Sequence, residues 1–112
     1  MSEIKDGYLL WHSYLAGVPR LTRYTLGVRI DNLFAELVQV ALSAQYAKRS
    51  EKLALLEKLS HIFDNLKYFI TILWEAKAID ANKHAQLSQR LARVGTMLGG
   101  WISSLKKETL PL

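Results

Sequence analysis

Residues 83–107 read KHAQLSQRLARVGTMLGGWISSLKK. Within them Leu87, Leu91, Val94, Leu98, Trp101 and Leu105 stand alternately four and three apart, the spacing of a helix buried along one seam. The charges here carry one sign. Lys83, Arg90, Arg93, Lys106 and Lys107 are basic, and no acid falls between Asp80 and Glu108. A solvated helix ordinarily mixes signs and gains pairing energy from them. A one-signed helix on a packed core points to a polyanionic or acidic partner.

The same rhythm recurs toward the N-terminus. Leu56, Leu59, Phe63, Leu66, Ile70 and Leu73 form a seam with Trp74 at its flank, and Leu26, Ile30, Leu33, Leu37, Val40 and Ala44 form another. Tyr8, Trp11 and Leu15 mark a shorter segment that Gly17 and Pro19 end, since proline disfavours helical geometry in the residue before it. Thr22, Ser50 and Asp80 are the expected N-caps of the three later helices. Lys77 is expected in the last turn of the third, where a cation is favoured. The connections are short, which makes successive helices antiparallel neighbours. The expected fold is all-α: an antiparallel up-down-up-down four-helix bundle over residues 1–108, with helices at 5–16, 23–47, 51–77 and 81–107 and a frayed tail at 109–112. A repeat of 3.5 residues favours left-handed packing at about +20°.

A chain of 112 residues forms one domain and buries about two-thirds of the surface its unfolded form exposes. Half of its residues are hydrophobic, near the upper end of the usual range. On the second helix Phe34, Val38, Ala41 and Leu42 widen the apolar surface beyond one seam, so a second copy of the chain, and a ring-like homo-oligomer, is expected to cover the excess. Gly95 and Gly99 lie four apart on one helical face and allow close backbone approach, and Trp101 is a candidate anchor. Phe34, Val38, Gly95, Gly99 and Trp101 are therefore the candidate residues for an oligomer interface or close packing.

Catalytic chemistry is not indicated. His12, His61 and His84 fall on three helices without the spacing that aims ligands at one ion. Asp31, Glu36, Glu57, Asp64 and Glu75 read as solvated-face positions, and no nucleophile motif or phosphate-cradling loop is present. The expectation is a protein that is not an enzyme, with no cofactor, metal or small-molecule substrate. The absence of cysteine is compatible with a reducing compartment. The apolar segment from Tyr8 to Val18 follows Glu3 and Asp6, is interrupted by His12 and Ser13, and lacks a cleavage site. It reads as a core helix, with no membrane span, and the expected location is cytoplasmic.

The net charge is +5 and the isoelectric point is near 9.6. Lys83, Arg90, Arg93 and Lys107 approximate one exposed stripe on the last helix, Arg20, Arg23 and Arg29 form a second group, and Lys48, Arg49 and Lys52 a third. Aromatic residues are not interleaved with these cations along the chain. RNA or DNA would thus be held by its phosphate backbone rather than by base stacking.

Two motifs carry a family resemblance. Pro19-Arg20 and Arg23-Tyr24-Thr25-Leu26-Gly27-Val28-Arg29-Ile30 resemble the opening of the second helix in the four-helix-bundle family of ribosomal-RNA intervening-sequence proteins. Val94-Gly95-Thr96-Met97-Leu98-Gly99-Gly100-Trp101-Ile102 resembles the end of the fourth helix in one branch, the accessory variability determinant (Avd) proteins of diversity-generating retroelements. The chain departs from the family pattern at Arg93, where an acid is common, and at Thr96, where a base is common. The resemblance implies a non-catalytic, barrel-shaped homopentamer with a basic surface. It also implies association with the retroelement's reverse transcriptase and template RNA during error-prone cDNA synthesis. The alternative expectation is a structural oligomer without a nucleic-acid role.

Overall fold

The computed structural model describes residues 2–109, and every regular element among them is helical. Helix α1 spans Ser2–Tyr14 and passes through a single 3₁₀ turn, Leu15–Gly17. Helix α2 begins as Arg20–Thr22, widens into a π-helical Arg23–Gly27 and continues as Val28–Tyr46. Helix α3 spans Arg49–Glu75 and helix α4 spans Ala81–Thr109. Each helix packs on two others: α2 on α1 and α3, and α4 on α1 and α3. The molecule measures 54 × 22 × 20 Å. No described helix is long and apolar enough to cross a membrane.

The periodic residues meet in one core. Ile30, Leu37, Leu59, Leu66, Leu73 and Leu87 are fully buried, and no buried side chain among the described residues is polar or charged. Trp11 of α1 stacks on Phe34 of α2, with ring centroids 6.4 Å apart, and Tyr8 meets the same ring edge-on at 5.6 Å. Phe34 and Ala41 are fully buried as well. Part of the apolar width on α2 is therefore covered by the chain's own first helix and not by a second copy. A period count shows how wide an apolar face is but not which neighbour covers it.

The helix ends differ from expectation in physically informative ways. α2 starts three residues early, because Pro19 has its ring-fixed φ of −52° and the Arg23 N–H donates to its carbonyl at 2.8 Å. Thr22 has helical angles and makes no side-chain cap. In the wide turn just after it, the Thr25 hydroxyl donates to the carbonyls of Leu21 and Thr22, at 3.1 and 3.3 Å. Ser50 lies inside α3, whose flanking residue is Lys48, again without a side-chain cap. Asp80 does cap α4: its Oδ1 accepts the Lys83 N–H at 2.8 Å. The tail expected at 109–112 lies outside the described residues from residue 110 onward, and Thr109 closes α4.

Lys77 is not in the last turn of α3 as expected, because α3 stops at Glu75. Lys77 sits beyond it with φ of 62°, in the left-handed region. The Lys77 N–H donates to Trp74 O at 2.8 Å and the Ala78 N–H to Leu73 O at 3.1 Å. These two bonds, with Leu73 and Ala78 both buried, make a Schellman ending, whose left-handed position is normally glycine. A side chain in that conformation costs about 1–2 kcal/mol. Lys77→Gly is expected to stabilise the fold by about 1 kcal/mol, read as a raised midpoint in urea unfolding.

Candidate nucleic-acid and partner surface

The cations predicted from the sequence do not form one patch. On α4 the ammonium of Lys83 turns toward α1, with Nζ 5.6 Å from the centre of the Tyr14 ring. Tyr14 is buried and its hydroxyl donates to Gln86 Oε1 at 2.7 Å. Burial first, and then the charge of Asp80, pushes the Tyr14 phenol up, while Arg90 pulls it down. Arg90 is half-buried, and Arg93 and Lys107 are exposed. Lys107 lies near the other end of α4, roughly 36 Å from Lys83 at 1.5 Å per residue.

The three arginines of α2 have three different surroundings. Arg20 lies over the ring of exposed Tyr24 at 5.8 Å, and Arg29 over Phe69 of α3 at 5.4 Å. Arg23 turns inward. Its Nη2 donates to Val18 O at 3.0 Å and to Ala16 O at 3.3 Å, and its Nε is buried without an acceptor. Through Nη2 that guanidinium clamps the α1–α2 connection. The side chain is long enough to fold back on carbonyls five and seven residues upstream, and no spacing rule reports this.

The packing candidates also separate. Phe34 is closed inside the core. Val38 is half-buried and lines a surface groove with Lys5, Tyr8, Ala35 and Gln39 between α1 and α2. Gly95 is a close-approach site within the chain, since a Cβ there would stand 3.2 Å from the Phe63 ring edge. Gly99 has no such neighbour and is exposed. Trp101 is half-buried against the core and lines a cavity with Ala44, Gln45, Lys52, Leu56 and Ser104.

Two arrangements were invisible in the linear sequence. Asp31, expected on a solvated face, accepts the Trp11 Nε1–H at 3.3 Å. Its hydrogen bond to Tyr8, helped by burial and by its charge, pushes that phenol up. Trp74 at the end of α3 stacks on His84 at the start of α4, with centroids 4.3 Å apart and planes 5° apart. The two lie ten residues apart across a turn, so neither helical period connects them. The only linear signal was a tryptophan flanking, rather than occupying, the α3 seam. Among the described residues no three histidine, aspartate or glutamate side chains gather as a metal would require.

Comparison with known families matches residues 7–105 to the bAvd-like family. The match covers most of the chain, and the chain belongs to that family, whose members are accessory, non-catalytic proteins. No curated protein and no solved structure matches it.

The two perturbed phenols give a pH test. Each has a folded value raised above the ordinary one near 10, so the stability it contributes is complete below that value and is lost as pH rises through the folded value. Ultraviolet titration is expected to show Tyr8 and Tyr14 ionising above the ordinary tyrosine range, with stability declining in the same alkaline window. Asp31→Asn is expected to lower the Tyr8 step alone.

Proposed function

We propose that the chain is a non-catalytic accessory protein of a diversity-generating retroelement. In this reading it is an antiparallel up-down-up-down four-helix bundle that assembles into a ring-like homo-oligomer, a pentamer by family resemblance, in the cytoplasm. It binds the reverse transcriptase and the template RNA or its cDNA through a basic surface and supports mutagenic reverse transcription. The observation that carries the reading is the family match over residues 7–105, joined to a fourth helix with no acid between Asp80 and Glu108. Arg90, Arg93, Lys107 and Lys83, then Arg20, Arg23 and Arg29, supply the donors to phosphates or to acidic enzyme residues. Through Nη2, Arg23 also clamps the α1–α2 connection.

The assembly has its own support. Tyr24, Val28, Leu42 and Tyr46 are 64%, 48%, 44% and 83% exposed, and with exposed Ala35 they follow one side of α2. Apolar residues aligned along a helix and left uncovered mark a surface that another protein covers, and a further copy is the occupant this reading assigns. Leu42→Glu combined with Tyr46→Glu is expected to reduce the native mass to that of a single chain without unfolding it. An unchanged mass places the contact elsewhere.

Phosphate binding releases counterions, so affinity for RNA is expected to fall steeply from low to moderate salt. Arg90→Glu with Arg93→Glu is expected to leave the assembly intact and to weaken RNA binding at least tenfold, about 1.4 kcal/mol, in a filter-binding titration. Unchanged RNA binding in that variant, or none by the wild-type protein even at low salt, leaves the structural oligomer as the surviving interpretation.

A further inference from the structure

We propose that the α3–α4 turn carries a stacking platform for an unpaired nucleobase, built from Trp74 and His84 and flanked by Lys77. It rests on the nucleic-acid role proposed above and adds to it a contact that recognises bases rather than phosphates.

The ring pair comes first. The indole and imidazole are nearly parallel, 5° apart, at 4.3 Å between centroids. Trp74 is 39% exposed, while Trp11 is fully buried and Trp101 is packed against the core. The turn is already closed without the pair. The two Schellman bonds, the Asp80 cap and the buried side chains of Ala78 and Ile79 hold it. A ring pair whose indole residue is 39% exposed suits a base at such a place, since a base offers a π surface whatever its identity.

The strained lysine is the second observation. Lys77 occupies a left-handed position that glycine fills without penalty. Its retention places an exposed cation three residues beyond the platform, with its backbone N–H bonded to Trp74 O at 2.8 Å. Strain kept at an exposed polar side chain points to use of that side chain. A base on the rings and a phosphate on a nearby ammonium are the two halves of single-strand recognition.

The third is the path leading away from the rings. A surface groove between α3 and α4 continues from His84 past Ser88 and Ala92 to Gly95, with Lys67 and Thr71 on its other wall. Small residues keep it open on the α4 side. The Lys67 ammonium lies 3.5 Å from Asp64, and both are well exposed, so a phosphate competes with a weak pair. Glu75 is the acid next to the platform in sequence, whereas Asp80 is committed to its cap. In a duplex the bases are already stacked on one another, so the platform takes only single strands.

The test uses the full-length protein with two polyanions at one salt concentration: a single-stranded RNA oligonucleotide and inorganic polyphosphate. Trp74→Leu is expected to lower affinity for the oligonucleotide about tenfold and to leave polyphosphate affinity unchanged. Trp74→Phe, which keeps an aromatic face, retains most of the affinity. Lys77→Gly is expected to weaken oligonucleotide binding while raising the melting temperature, opposite signs that a purely structural role does not produce. Equal losses for both polymers, or no loss for the oligonucleotide in folded Trp74→Leu, overturn the platform while polyphosphate binding by the wild type upholds the basic surface. Failure of the wild type to bind either polymer overturns both.

Discussion

Covering long helices with a short one is the constraint on which this structure turns. α1 has 13 residues, whereas the helices it packs on, α2 and α4, run Arg20–Tyr46 and Ala81–Thr109. At 1.5 Å per residue, it covers roughly 20 Å of partners about twice as long. Along that length it is densely apolar: Ile4 and Trp11 are fully buried and Tyr8 packs on Phe34. Beyond it, α2 and α4 continue without that neighbour. The Trp101 cavity and exposed Leu42 and Tyr46 belong to those later stretches of α4 and α2. One helix length thus separates a stretch of the bundle that α1 covers from a stretch that it does not.

The charged groups are organised by the same economy of contacts. Several cations that look interchangeable in the sequence are drawn onto rings or carbonyls. Lys83 faces Tyr14, Arg29 faces Phe69, Arg20 faces Tyr24 and Arg23 closes a connection. Cations over aromatic faces gain modest energy while keeping their charge near water. Arg23 differs in its contacts: its Nη2 donates to backbone oxygen and its Nε is buried, while its charge still adds to the surface potential.

The seams were legible in the sequence. Ile30, Leu33, Leu37, Val40 and Ala44 on α2 and Leu56, Leu59, Phe63, Leu66, Ile70 and Leu73 on α3 are all buried. Burial along a helix is periodic, and a period is a property of the chain alone. Phe34 was legible as apolar but not as α1's partner, because that depends on where a separate segment lies. Asp31, Arg23 and the Trp74–His84 pair were illegible for the same reason: each is defined by an atom brought close in space. Thr22 and Ser50 failed as caps because proline geometry at residue 19 and an extended Lys48 set the starts of α2 and α3. Asp80, with no competing starter, was read as it is used.

The π-helical turn at Arg23–Gly27 has a geometric consequence of its own. A turn of that kind holds one residue more than an α turn, which swings the residues before it by about 100° relative to those after it. The tip bearing Arg20 and Leu21 is therefore aimed at a different compass bearing from the one a continuous helix would give. Losing a single residue there would not shorten the tip appreciably, but it would steer it, as trimming one tread from a spiral stair changes the direction in which the landing opens.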